Sequence, residues 1–284
     1  YHFKNLYGLK LMQNILITGC SSGIGLQTAL TLKENKYKVY ASAKKDEDVE
    51  MLKSLGLEAF NIDVRNKEEI SFALNKILEN DLKLDAIFNN AGYGQPGAVE
   101  DLSVEVLKKQ FDTNFFGLHE VTIQAMKIFR TQGFGKIIQH SSVLGIISLK
   151  YRGAYNASKY AIEGINDTLR QEVIGSNIFI STINTGPVTS KFRENALKKF
   201  NKNITIKGSF FEETYKKELK ARLETTEDKA PFNLPASSVA NVVLKIMQSQ
   251  KPKPRYYVTT ATHILGFLKR VLSTSLMDKL LNKI

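Results

Sequence analysis

The sequence has a single cysteine, Cys20, in 284 residues. That rules out an internal disulfide framework and a cysteine-rich zinc site, and it fits a reducing compartment. A cytoplasmic location is expected, and no metal site. No window approaches the roughly 18 consecutive apolar residues of a membrane span. The lysine-bearing start, Tyr1 to Leu11, has no long apolar run behind it, so neither a signal nor an anchor is expected there. The chain opens on Tyr1 and Met12 stands just before the first apolar strand, so residues 1–11 are read as an extension outside the fold. Internal repeats and low-complexity linkers are also missing, which favours one domain over two.

Acids are in short supply: 28 Asp and Glu stand against 40 Lys and Arg, a formal net charge of +12. Such a balance attracts phosphate backbones without regard to sequence. The distribution argues against that partner. Lysines are interspersed with acids throughout, and the densest basic clusters, Lys198-Lys199 and Lys251 to Arg255, are short. They read as solvated faces, and no nucleic-acid partner is expected. With 43% hydrophobic and 24% charged residues, the chain can bury a substantial core.

Strand-like apolar runs alternate with helix-length segments: Asn14 to Thr18, Lys38 to Ala43, Ala59 to Ile62, Ala86 to Asn89, Lys136 to His140 and Phe179 to Asn184. The alternation predicts βαβ units feeding one parallel sheet covered on both faces, a doubly wound α/β fold. A catalytic domain over residues 12–262 follows. Within it, residues 191–234 turn polar and helical, with Phe200, Phe210, Phe211, Tyr215 and Phe232 scattered through them, and read as a lid inserted over the sheet. Tyr256-Tyr257-Val258 offers a last strand. Residues 263–284 form an amphipathic helical tail, for whose second helix Ser275 and Asp278 suit a capping box.

Thr18-Gly19-Cys20-Ser21-Ser22-Gly23-Ile24-Gly25 stands between the first strand and a helical run. Glycines there let backbone amides close on a pyrophosphate at the positive end of the helix. Cys20 reads as a small filler. The spacing T-G-x-x-x-G-x-G resembles that of the short-chain dehydrogenase/reductase family, whose fold is of the Rossmann type. The resemblance implies cofactor contacts from Thr18, Gly19, Ser21, Ser22, Gly23, Ile24 and Gly25. It adds Asp63-Val64 at the adenine, and Asn90-Ala91-Gly92 beside the cofactor within Asn89-Asn90-Ala91-Gly92.

At the end of the second strand, an NAD enzyme should offer an acid to the adenosine ribose. Ala43 stands there and Lys44 follows, so a 2′-phosphate meets a cation, with Ser42 in position to add a hydrogen bond. NADP(H) is favoured; Asp46, Glu47 and Asp48, a few residues on, keep NAD(H) open, and simply solvated lysines would remove the preference.

Tyr155 and Lys159 are four residues apart on one face of a helix expected to continue to about Glu172. A neighbouring ammonium favours the phenolate of a tyrosine. Ser141-Ser142 ends the preceding strand, and Asn114 lies in an earlier helix. The family resemblance, continuous from about Asn14 to Ser190, implies their roles. Ser142 hydrogen-bonds the substrate oxygen, Tyr155 moves its proton, Lys159 holds the nicotinamide ribose and tunes Tyr155, and Asn114 holds a relay water. Ser141 competes for the serine role; spacing favours Ser142. His140 is expected to point into the sheet or its covering helices. Asn184 to Ser190 resembles the family's P-G-x-V-x-T segment, implying contacts from Pro187, Val188 and Ser190. Thr185 replaces the proline, which predicts a less rigid loop.

The lid, Leu144, Ile146, Ile147 and Leu149, and Tyr93, Gln95 and Pro96 are expected to shape the substrate site. Most are apolar or aromatic, so the substrate is expected to be an apolar alcohol, ketone or aldehyde. The sequence looks most like the branch with hydroxysteroid and retinol dehydrogenases and bacterial relatives. Rival readings are a sugar-nucleotide epimerase or dehydratase, which the glycine spacing disfavours, and a non-catalytic redox sensor, which needs no proton relay. The resemblance implies a homodimer or homotetramer. For the tail, covering the core or a subunit interface is preferred to resting on a membrane surface.

Overall fold

The structure, a computed structural model, describes residues 12–224 and 232–283. The extension at residues 1–11 lies outside the described residues. Seven strands form one sheet: β1 (Asn14–Ile17), β2 (Lys38–Ala43), β3 (Glu58–Asn61), β4 (Ala86–Asn89), β5 (Phe134–Ser142), β6 (Asn177–Thr185) and β7 (Arg255–Tyr257). Their order is β3-β2-β1-β4-β5-β6-β7 with every pairing parallel. This is the Rossmann-type sheet that the strand alternation predicts. The chain reverses its direction of travel between β1 and β4, and a crevice opens there at the carboxyl ends of the strands.

Alternation along each strand sends side chains to opposite layers. From β1 and β2, Ile15, Ile17, Val39 and Ala41 meet Ala29 and Leu32 of α1 (Gly23–Glu34), Val49 and Leu52 of α2 (Asp46–Ser54) and Val239 and Val243 of α10 (Ser237–Gln248). Leu16 and Tyr40 face the other way. They pack with Ile70 and Ile77 of α3 (Lys67–Asp81) and Val121 and Phe129 of α5 (Leu118–Gln132), where Leu169 of α6 (Gly153–Glu172) joins them. Burial on both faces explains why these strands read as near-continuous apolar runs.

β5 and β6 are longer than the apolar runs suggest. They stay in register for nine residues each, from Phe134 opposite Asn177 to Ser142 opposite Thr185. Their polar last residues are strand because each has a ladder partner, not because of their own propensity. Between α5 and the preceding α4 (Val104–Phe111), the chain forms a wider π turn over Asp112–Gly117, which carries Asn114.

The described residues of the segment read as a lid form α7 (Phe192–Asn203), α8 (Glu212–Thr214) and α9 (Lys220–Glu224), with a further π turn at Tyr215–Leu219. It has its own small core, in which Phe200 and Tyr215 are fully buried with Ala196 and Ala98. The Tyr215 hydroxyl accepts from the Ala98 amide at 2.8 Å and donates to Asp101, fastening the lid to the loop after β4. The tail helices are α11 (Thr260–Val271) and α12 (Thr274–Leu281). The cap of α12 is Ser273, whose side chain accepts from the Leu276 amide, and not Ser275, so the helix starts earlier than the expected capping box. Among the described residues, no helix is long and apolar enough to cross a membrane.

Candidate active site

The phosphate loop is built by close approach. Gly19 has φ +72°, and a Cβ there would lie 2.8 Å from the Ala91 Cα. At Gly25 a Cβ would lie 2.3 Å from the Gly19 carbonyl oxygen and 2.6 Å from Asn90 Nδ2. Only glycine lets these backbones meet. Helix α1 starts with no side-chain cap from Ser22 and no acid in its first turn. Its first amides and its positive dipole end therefore suit an anion such as a pyrophosphate, and the residues present fit the nicotinamide dinucleotide that the sequence implies.

Two residues expected to touch the cofactor also brace the loops. Thr18 is buried, and its hydroxyl accepts from the amides of Asn90 and Ala91 at 3.0 and 3.1 Å. The Asn90 amide donates to the carbonyls of Thr18 and Gly19, each at 3.0 Å. Ser21 is exposed, whereas Ser22 and Ile24 are half-buried along the loop. Ser190 stands beside Gly23, with its Cβ 3.1 Å from the place a glycine Cβ would occupy, so the segment holding Pro187 and Val188 closes against the loop.

At the end of β2, Ala43 is buried and Lys44 is exposed, its ammonium 2.9 Å from an Asp63 oxygen. Arg65 also binds Asp63, and this hydrogen bonding, supported by Lys44, holds the Asp63 carboxyl well below the usual carboxylate range. Lys44 and Asp63, expected to serve a phosphate and an adenine separately, are thus partners. Val64 beside them is buried. Ser42 departs from its expected role: it is fully buried and its hydroxyl has no partner, because the strand's alternation turns it into the core layer. Asp46, Glu47 and Asp48 form the first turn of α2, where carboxylates favour the helix dipole.

Register places the catalytic candidates. Ser142 ends β5, and its hydroxyl caps the following turn by accepting from the Leu144 amide at 3.1 Å. Tyr155 and Lys159 stand one turn apart on α6, the Lys159 ammonium 5.5 Å from the centre of the Tyr155 ring. Burial pushes the Tyr155 phenol up to about 12, while the Ser142 hydroxyl and the Arg152 charge pull it down. Both serines are buried; the Ser142 hydroxyl lowers Tyr155, whereas the Ser141 hydroxyl lowers Glu163. Lys159 is buried, and burial brings it down to about 8 against the pull of Glu163. Its ammonium donates to the His140 carbonyl at 2.7 Å. Asn114 is buried on its π turn, accepting from the Tyr93 amide at 3.0 Å and donating to the Tyr93 carbonyl at 2.9 Å and Ser158 Oγ at 3.4 Å.

His140 sits at the site rather than inside a layer. Burial and the Lys159 charge lower it to about 3, so its ring is neutral. The Asn90 amide nitrogen is already a donor, so Asn90 Oδ1 accepts from His140 Nδ1 at 3.1 Å, which leaves Nε2 to accept from the Thr185 hydroxyl at 3.2 Å. A continuous path runs from Lys159 through His140 and Asn90 to the phosphate loop. Thr185, which replaces the family's proline, is tied to His140 by that hydroxyl, with the Ser141 carbonyl 3.4 Å away competing for the same proton. Hydrogen bonds thus hold the loop that the missing ring would have stiffened.

Phe192, the first residue of α7, packs edge-on against Tyr155 with ring centres 5.3 Å apart. The tail contributes as well: Leu265, Leu268 and the buried Met277 cluster with Val143, Leu144, Ile147 and Tyr155. The tail therefore covers the site's apolar wall. Gln95, expected to face substrate, is buried and holds the lid, accepting from Asn203 Nδ2 at 2.6 Å. Sequence reasoning also missed Glu163, buried one turn beyond Lys159, where it accepts from Asn184 at 2.6 Å and Arg255 at 2.7 Å. Its position four residues after Lys159, on the same helical face, was the available signal.

The family model described as short chain dehydrogenase matches residues 13–201. Over 277 residues the chain is 38% identical to the uncharacterized oxidoreductase YbbO of Escherichia coli K12, covering 97% of this chain and 96% of that one. It is 30% identical over 264 residues to retinol dehydrogenase 8 of Bos taurus, covering 87% and 82%. A short-chain dehydrogenase/reductase of Burkholderia phymatum in complex with NAD shares the fold, with a TM-score of 0.75 at 21% identity over 95% of this chain and 93% of that one. So does the closed form of serine dehydrogenase complexed with NADP+, with a TM-score of 0.75 at 20% identity over 88% and 96%. With a family match across both the phosphate loop and the Tyr155/Lys159 helix, the chain belongs to the short-chain dehydrogenase/reductase family, oxidoreductases that act on CH–OH groups with a nicotinamide cofactor.

Proposed function

We propose that the protein interconverts an apolar alcohol and its ketone or aldehyde with NADP(H), using Tyr155 as the acid/base. The observation that carries this reading is the joint placement of Ser142, Tyr155 and Lys159 at the carboxyl ends of the central strands, beside the glycine loop. A bound nicotinamide supplies or accepts the hydride. In reduction Tyr155 gives its hydroxyl proton to the carbonyl oxygen, and a phenol held near 12 arrives at neutral pH with that proton in place. In oxidation the same oxygen takes the proton of the substrate hydroxyl. Ser142 stabilises charge on the substrate oxygen by donating a hydrogen bond. Lys159 lends positive charge beside Tyr155, and Asn114 connects the site toward solvent as a proton relay.

The apolar substrate follows from the wall formed by Leu144, Ile147, Leu268 and Met277 and from Phe192 over Tyr155. The name of the retinol dehydrogenase relative points to the same class. NADP(H) follows from Ala43 and Lys44 at the end of β2. The pairing of Lys44 with Asp63 favours NAD(H) as the second reading, since it commits part of that charge. A homodimer or homotetramer is supported by Val104, Leu107, Phe116 and Ile123, all exposed around α4 and α5.

The test is NADPH and NADH consumption, and the reverse, over a panel of steroids, retinoids, fatty aldehydes and aromatic ketones. Turnover of at least one apolar member with NADPH is expected. Turnover of none with either cofactor contradicts the proposal.

A further inference from the structure

Lys199 lies on α7, and its ammonium stands 4.5 Å from the centre of the Tyr93 ring. Tyr93 follows the Asn90-Ala91-Gly92 turn, so the lysine reaches from the lid to the rim of the cleft. Seven residues earlier on the same helix, Phe192 covers Tyr155. At a rise of about 1.5 Å per residue the two contacts lie about 10 Å apart. Helix α7 therefore touches both the catalytic tyrosine and a second point further along the cleft.

That second point is strongly cationic. Burial first, and then the charges of Lys202, Lys44, Arg65 and Lys109, lower the Lys199 ammonium from its ordinary range. These cations come from α7, the end of β2, the turn after β3 and α4. Asp63 binds both Lys44 and Arg65, and Asp112 acts on Arg65. Lys198 is exposed and pairs with Glu194, whereas Lys199 is half-buried and has no ion pair among the described residues, so of the two only Lys199 faces the cleft. Asp63 and Asp112 take up part of the Lys44 and Arg65 charge, and the like charges that remain around Lys199 repel one another unless a further anion sits among them.

The origin of the cations selects the anion. A dinucleotide's pyrophosphate belongs at the start of α1, on loop amides. Lys44 is the first residue past β2, next to the adenosine ribose in a doubly wound site, and Arg65 leaves the turn beside it. A phosphate monoester on that ribose brings close to two negative charges to this spot. We propose that Lys199 is a lid-borne contact for the adenosine 2′-phosphate of NADP(H), so that this phosphate ties α7 to the sheet. The inference rests on the NADP(H) reading and deepens it: the cofactor's phosphate selects the cofactor and also positions the helix whose first residue covers Tyr155.

The test titrates the full chain with NADPH, NADH and adenosine 2′,5′-bisphosphate, read by fluorescence or calorimetry, for the wild type, Lys199→Met and Lys199→Arg. Amide exchange in α7 is followed with each cofactor. Lys199→Met is expected to weaken NADPH and the bisphosphate by roughly tenfold or more, a charge-assisted contact's worth. NADH should stay within about twofold, and Lys199→Arg should retain most NADPH affinity. NADPH, and not NADH, should slow exchange in α7 of the wild type, and Lys199→Met should abolish the difference. If the wild type prefers NADPH and Lys199→Met keeps that preference, or weakens both cofactors equally, Lys199 does not read the phosphate and the cofactor reading stands. If the wild type binds NADH as tightly as NADPH, the cofactor reading fails and takes this inference with it.

Discussion

Replacing Lys159 by methionine should make the protein more stable while removing its activity. The lysine is buried and falls from an ordinary 10.5 to about 8 because burial penalises its charged form. That fall corresponds to about 3 kcal/mol of stability withheld near neutral pH. Methionine fills similar space without a charge, but the His140 carbonyl then loses the ammonium that donates to it. Losing that bond costs about 1 kcal/mol, leaving a net gain of about 2 kcal/mol at pH 7. The sign with pH follows from the folded value lying below the unfolded one. The unfolded chain binds the extra proton between the two values, so the wild type's penalty is full below about pH 8 and fades as pH rises toward 10.5. The advantage of Lys159→Met should shrink by about 2 kcal/mol between pH 7 and pH 9.5. Urea unfolding followed by far-UV circular dichroism at both pH values measures this, and the difference between variant and wild type cancels the titration of every other group. A variant no more stable at pH 7, or a difference that does not move with pH, would refute the account of Lys159.

Gly25→Ala should push the phosphate loop apart, since its Cβ would meet the Gly19 carbonyl and the Asn90 side chain at 2.3 and 2.6 Å. A loss of about 1–3 kcal/mol in urea unfolding and NADPH binding weaker by roughly tenfold or more are expected; wild-type cofactor affinity would contradict the loop geometry. Thr185→Val keeps the shape of the side chain but leaves His140 Nε2 without its donor. It should cost about 1–3 kcal/mol in the same assay, and an unchanged midpoint would mean that the hydroxyl does not hold the loop.

What could be read in the sequence was what short-range pattern carries. Apolar runs such as Lys38 to Ala43 and Ala86 to Asn89 appear in the fold with the bounds the sequence suggests. The Tyr155/Lys159 pair falls on one helical face because a step of four residues is just over one turn. The polar ends of β5 and β6 were not legible, because strand there depends on the ladder between Ser142 and Thr185. Side-chain partners were legible least of all. Thr18 and Asn90 are also braces, a role that only the sheet order, which makes β1 and β4 neighbours, gives them. Lys44 and Asp63 lie nineteen residues apart in sequence and meet across the ends of β2 and β3. The tail read as amphipathic, and its apolar face packs on Val143, Leu144 and Ile147, a contact that no local pattern specifies.

The most direct test of the central claim is Tyr155→Phe, assayed for turnover with NADPH and an apolar carbonyl substrate and, separately, for NADPH affinity. Removing one hydroxyl from a proton donor should lower turnover by roughly 100- to 10,000-fold, while NADPH binds as it does to the wild type. Turnover that survives the substitution, or falls only in step with lost cofactor binding, would show that Tyr155 does not carry the proton.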